Sequence, residues 1–297
     1  MKQILIIGST VIDVLLKIPN LPSQGEDINI ESSELRLGGC AFNVFKALEF
    51  FSVPALLCSP IGTGVYGRMV KEQLEAAGIE PFTLLDEENG CCYCLIEDGG
   101  ERSFLSYHGA EYLFSRSWMT NIDYDNTDSI FICGLEVEES TGDEIVEFAF
   151  EHPELELYFA PGPRIAKIPG DRMERLLCRR DCLGKGPFLH LNDREACEYT
   201  KIDDYKGAAE YLAKKTANSL VITLGEEGAY ILEKDEEEGL LIPPYKAPKV
   251  DKVGAGDAHC GAIIACLKKG LTLREACVEA NKMGAIAGRL KTAIHRR

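Results

Sequence analysis

Asp251-Lys-Val-Gly-Ala-Gly-Asp257, followed by an apolar run to Leu267, is the stretch best equipped for catalysis. That order reads as a glycine-containing turn opening into a helix. Gly254 and Gly256 permit backbone angles that a residue with a Cβ avoids, and they let another group approach the main chain. The N–H groups of a first helical turn lack intrahelical partners and sit at the positive end of the dipole, so they attract anions, phosphate above all. Asp257 sets a carboxylate beside them. An anion cradle with a base next to it is what phosphoryl transfer onto a hydroxyl requires. The same residues also make an ordinary helix start, since aspartate caps helices and glycine turns chains. Other stretches have to decide between the two.

The elements that would hold this turn alternate between strand and helix. Residues 4–7 form a continuous apolar strand ended by Gly8-Ser9, with Asp13 shortly after. Gly38-Gly39 opens a helix to about Phe51, and further strands are predicted over 53–61, 129–133, 155–160, 187–191 and 219–224. Helices are predicted over 66–77, 171–180, 205–217 and 273–290, with a capping box at Thr141 and Glu144. Two places break the alternation. Residues 12–36 carry Pro19, Pro22 and Gly25, and 91–97 with 102–107 reads as a hairpin around Asp98-Gly-Gly-Glu101. We expect them to pair as a small sheet outside a doubly wound, mostly parallel α/β body. In such sheets ligands sit beyond the carboxyl ends of strands, where Gly8, Pro161, Asn192 and Gly225 all fall.

Composition narrows the function classes. A formal net charge of −16 argues against nucleic acid or anionic membrane as a partner through bulk electrostatics, so an anionic ligand needs a local site. Twelve cysteines at irregular spacing, most of them in apolar runs, point to a reducing cytoplasm. The opening apolar run is too short for a signal peptide, and no run suits a membrane span. Cys91, Cys92 and Cys94 form a cluster with metal flavour, but strand alternation sends the first two to opposite faces. There is no Gly-x₄-Gly-Lys-[Ser/Thr] loop and no protein-kinase motif set.

Gly38-Gly39-x-Ala-x-Asn43 together with Asp251-x-x-Gly-Ala-Gly-Asp257 resembles the paired motifs of the ribokinase-like (PfkB) carbohydrate kinases, in order, separation and flanking elements. The resemblance covers the whole chain. It implies a three-layer fold with a β-sheet lid, here one kinase domain over 1–297 with a discontinuous lid at about 12–36 and 88–110. It also implies ATP and Mg²⁺ and a sugar or sugar-like substrate phosphorylated on a primary hydroxyl, as in fructokinases, ribokinases or ketodeoxygluconate kinases.

By the same resemblance Asp257 is the catalytic base, and Gly254, Ala255 and Gly256 form the anion hole. Asp13, Gly38, Gly39 and Asn43 bind sugar, joined by Arg102 and by Arg164, although Ala160 stands where an aspartate usually accompanies that arginine. Asn192 and Glu195 handle Mg²⁺ through water. Thr223, Gly225 and Gly228 contact nucleotide, and Asn281 lies near adenine. Asp251 marks a monovalent-cation neighbourhood, but Lys252 and Val253 replace the usual threonines. We expect the Lys252 ammonium to substitute for the ion and to make activity indifferent to potassium. His259 replaces a more usual phenylalanine, and the expectation is a packing or capping substitution rather than a second catalytic group. A homodimer through the lid also fits the resemblance. The rival readings are a nucleoside kinase on the same fold and a catalytically silent sugar-binding or regulatory member.

Overall fold

The computed structural model describes residues 1–246 and 253–293, so Asp251 and Lys252, with the expectation of a substitute cation, lie outside the described residues. The chain begins with β1 (Gln3–Ile7), β2 (Val11–Ile18), β3 (Ser32–Gly38), α1 (Cys40–Phe50), β4 (Ala55–Cys58), β5 (Pro60–Thr63) and α2 (Gly64–Ala76). It continues through β6 (Thr83–Glu88), β7 (Cys91–Glu97), β8 (Arg102–Tyr107), β9 (Thr127–Cys133), α3 (Gly134–Glu138), α4 (Gly142–Glu151) and β10 (Glu156–Ala160). Then come α5 (Gly170–Cys178), β11 (Phe188–Asn192), α6 (Asp193–Thr200), α7 (Tyr205–Thr216) and β12 (Leu220–Thr223). The last elements are β13 (Ala229–Leu232), β14 (Leu240–Ile242), α8 (Ala255–Lys268) and α9 (Leu273–Ala293).

Eight strands form the main sheet in the order β14-β13-β12-β11-β10-β9-β1-β4. Every pair from β12 to β4 is parallel, and β13 and β14 add an antiparallel edge. The two faces of β1 show why its apolar run is unbroken. Ile4 and Ile6 pack with Val44, Leu48, Ile263 and Ile264 of α1 and α8, while Leu5 and Ile7 join Ile145, Val146, Leu176 and Leu212 on the other side. A strand covered by helices on both faces has no polar side to alternate with. The result is the expected three-layer α/β body.

A separate sheet has the order β3-β2-β7-β8, which brings the two breaks in the alternation together. Its register sorts its faces. Arg36, Asp13, Cys92 and Ser106 form one cross-strand row, and Leu35, Val14, Tyr93 and Leu105 form a row on the opposite face.

Two local expectations were overturned. The strand predicted over 53–61 divides. β4 joins the main sheet, whereas β5 starts at Pro60 and pairs with β6 in a two-stranded sheet. Proline has no N–H for a continuing ladder, so a break there has a direct cause. The Thr141 capping box is also absent. Thr141 precedes α4 but makes no side-chain cap. Its Oγ1 accepts from Phe114 N, and Glu144 accepts from Arg116 N, so both side chains anchor a distant loop instead.

Candidate active site

Gly254 caps α8 in the left-handed region at φ 72°, which is why a glycine is needed at that turn. Ala255 and Gly256 supply the first-turn amides, and among the described residues nothing lies within 4 Å of where a Gly256 Cβ would stand. Asp257, half-buried, sits in that same first turn. Asn43 of α1 donates from Nδ2 to Asp257 Oδ2 at 2.9 Å. The two sequence motifs therefore meet in space.

Gly39 holds α1 in place at φ 98°, and a Cβ there would run into the Ser9 carbonyl at the end of β1. Gly38 lies directly against the buried Asp13 carboxylate. Asp13 is thus a strand residue of the small sheet, facing the glycine pair that starts the helix bearing Asn43. A chain of contacts runs from Asp13 through Gly38, Gly39 and Asn43 to Asp257.

Asn192 ends β11 and caps α6 with a reciprocal capping box. Asn192 Oδ1 accepts from Glu195 N at 2.8 Å, and Glu195 Oε2 accepts from Asn192 N at 3.0 Å. The helix-start reading of this pair and the functional one therefore coexist. Glu195 is no surface residue, being 8% exposed. Burial, with the charge of Asp257 adding to it, pushes its carboxyl up to about 7. A carboxylate raised in this way, and within the field of a second one, is relieved by a divalent cation, so the donor set fits Mg²⁺ held through water.

Thr223 lies opposite Asn192 in the register and donates to Leu191 O at 3.3 Å. Gly225 and Gly228 shape the turn after it, where Leu224 N donates to Gly228 O. These groups border the strand ends as expected.

Three further expected site residues have protein partners or positions of their own. Asn281 has its amide engaged by protein: Nδ2 donates to Pro243 O at 2.8 Å and Ile242 O at 3.3 Å, and Oδ1 faces His259 Nε2 at 3.1 Å. Arg164 pairs with Glu138 at 2.9 Å and lies 3.0 Å from His108 Nε2, linking the loop after β10 to the loop after β8. Arg102 sits in the row of Ile96 and Lys17, four residues along β8 from the Ser106 of Asp13's row. At about 3.3 Å per residue that is roughly 13 Å from the Asp13 row.

The sequence reading missed a buried group behind α1. Cys40, Cys133 and Glu136 bring their ligating atoms within 4.8 Å of one another, with Ser9 Oγ 3.6 Å from Cys40 Sγ. Burial pushes Glu136 up to about 7 and raises the Cys40 thiol, while Cys133 is raised by Cys40 and by burial. The metal-like grouping among the described residues is thus here and not at Cys91, Cys92 and Cys94. His259 is likewise not alone, because its Nδ1 lies 2.9 Å from His190 Nε2.

A layered α/β sheet, an open helix start, a carboxylate in its first turn and a buried acidic cap near it are the arrangement that a small-molecule phosphotransferase needs. The chain belongs to the pfkB family of carbohydrate kinases, whose model matches residues 1–295. It is 28% identical over 291 residues to an uncharacterised sugar kinase, YegV, of Escherichia coli (strain K12), covering 96% of this chain and 88% of that protein. It is 25% identical over 272 residues to a deoxyribokinase of Salmonella typhi, covering 87% and 83%. The adenosine kinase of Sinorhizobium meliloti has the same fold, with a TM-score of 0.82 at 18% identity over 99% of each chain. This protein is an ATP-dependent carbohydrate kinase. None of the described helices is long and apolar enough to cross a membrane.

Proposed function

We propose that the enzyme phosphorylates a primary hydroxyl of a small sugar, with Asp257 as the base. The observation that carries this is the Asn43–Asp257 hydrogen bond at the open start of α8. The hydroxyl proton passes to the Asp257 carboxylate as the sugar oxygen bonds the γ-phosphorus. The bond to the β-γ bridging oxygen breaks, and ADP leaves with that electron pair. The first-turn amides of Ala255 and Gly256 face the charge spread over the transferred group, and since the transition state is loose, positioning and electrostatics carry most of the acceleration. Bound Mg²⁺ supplies charge neutralisation at the phosphates, and Asn192 with Glu195 would hold its water shell.

Asp13 and Asn43 suit a polyhydroxylated ligand, one accepting hydroxyl protons and the other able both to donate and to accept. The small sheet acts as the lid over that ligand. Its apolar row leaves Leu35 and Leu105 exposed on edge strands, which supports a homodimer through the lid. A coupled ADP-release screen over pentoses, hexoses, ketodeoxy acids and nucleosides tests the reading. ADP release dependent on one sugar supports it. Release with nucleosides alone favours the nucleoside kinase, and sugar binding without turnover favours the silent member.

A further inference from the structure

Beneath the Asp257 turn, two buried imidazoles and one amide form a hydrogen-bonded line: His190, His259, Asn281 and then the carbonyls of Ile242 and Pro243. Its direction follows from its far end. Two carbonyl oxygens accept from Asn281, so the amide nitrogen faces them and its oxygen faces His259. The proton between them therefore belongs to His259 Nε2. A neutral imidazole carries one ring proton, which leaves His259 Nδ1 as an acceptor, and His190 Nε2 supplies its donor. Burial favours the neutral ring at both positions, lowering His259 to about 4 and His190 well below its usual value.

The linked groups come from four places. His190 lies on β11 two residues before Asn192, His259 on α8 two residues after Asp257, Asn281 on α9, and Ile242 at the end of β14. Two residues along a helix turn it by about 200°, so Asp257 and His259 leave α8 on opposite sides. Asn43 holds one side and the His190–Asn281 line holds the other. Between them they clamp the first turn of a helix whose start is a glycine with little steric restraint of its own.

We propose that His259 is a positioning residue for phosphoryl transfer, acting through Asp257 and the first-turn amides of α8 by means of this one-way hydrogen-bonded line. The claim rests on the reading of Asp257 as the base. Apolar contacts tolerate a small roll of the helix, whereas directional bonds with a single proton arrangement do not. A roll would move the carboxylate and the amides together, off the line of the reacting oxygen. In this account Asn281 is the hub of the strut and not a reader of the base.

The test uses the full chain and two readouts. ¹⁵N–¹H correlation spectra of histidine-labelled protein should show both His190 and His259 as neutral Nε2–H tautomers at pH 7. His259→Phe, which keeps a ring but no hydrogen bond, should lower kcat about 10- to 100-fold, in keeping with the cost of an ångström-scale misplacement. KM for sugar should stay within about threefold, because Asp13 and Asn43 lie outside α8 and are untouched. His259→Gln, which keeps a donor toward Asn281, should recover most of the loss. Should His259→Phe fail to fold, His190→Leu against His190→Gln asks the same question one link earlier. Wild-type kcat in His259→Phe, or an Nδ1–H tautomer at either histidine, overturns the proposal. If the wild-type enzyme itself releases no ADP with any sugar, the phosphotransfer reading fails and takes the positioning claim with it. An active wild type with an equally active His259→Phe removes the positioning claim alone.

Discussion

Asn43 and Asp257 are 214 residues apart in the chain, yet Asn43 Nδ2 donates to Asp257 Oδ2 at 2.9 Å. That bond fixes the direction of the carboxylate. Replacing the donor with a carboxylate removes the bond and sets a like charge in its place. Asn43→Asp should therefore move the acid limb of the pH–kcat/KM profile upward. An unmoved limb in a folded Asn43→Asp protein contradicts the coupling.

Gly254 and Gly256 should respond differently to alanine. At φ 72°, Gly254→Ala strains the backbone and should cost about 1 kcal/mol of stability as well as turnover. Gly256→Ala meets no atom of the described residues within 4 Å, so the melting temperature should hold while turnover falls, because the new methyl enters the space proposed for phosphate. Thermal melts beside ADP-release rates separate the two cases.

Glu195 serves the α6 capping box, and by proposal a cation as well. A glutamine also supports a capping box, so Glu195→Gln should melt within a few degrees of wild type. Its requirement for Mg²⁺ should rise about 10- to 100-fold, the usual range for losing an outer-shell partner. Mg²⁺ titrations of activity at saturating ATP and sugar test this. An unchanged requirement would leave Glu195 a cap alone.

Glu136 carries a pH signature. Its carboxyl is raised from 4.5 to about 7, chiefly by burial, so the folded state binds its proton more tightly than the unfolded state does. That contribution to stability is full below about pH 4.5 and is lost as pH climbs through 7. Chemical denaturation of wild type and Glu136→Gln at intervals from pH 5 to 8 should show wild type losing stability relative to the variant as pH rises. Parallel curves would mean that Glu136 is ionised at no cost.

The large features of the fold were legible because they follow from contiguous sequence. Doubly covered strands such as β1 read as unbroken apolar runs, and the small sheet showed itself as two interruptions in a regular alternation. The meeting of Asn43 and Asp257 was legible only through a resemblance between two motifs, since no local pattern joins them. What escaped was the commitment of polar side chains to distant partners. Thr141 and Glu144 have the spacing of a capping box, but Phe114 N and Arg116 N compete for their oxygens. The resemblance puts Asn281 near adenine, and nothing in its local sequence announces Pro243 and His259 as its partners. His190 and His259 are 69 residues apart, and Cys40, Cys133 and Glu136 come from three elements. No window of sequence contains either group.

In the proposed reaction the Asp257 carboxylate takes the proton in the phosphoryl-transfer step. Steady-state kinetics of Asp257→Asn with the preferred sugar are the decisive test. The substitution keeps size and shape, so both KM values should stay near wild type while kcat falls by about 10²- to 10⁴-fold. An Asp257→Asn enzyme that turns over at the wild-type rate would contradict the account.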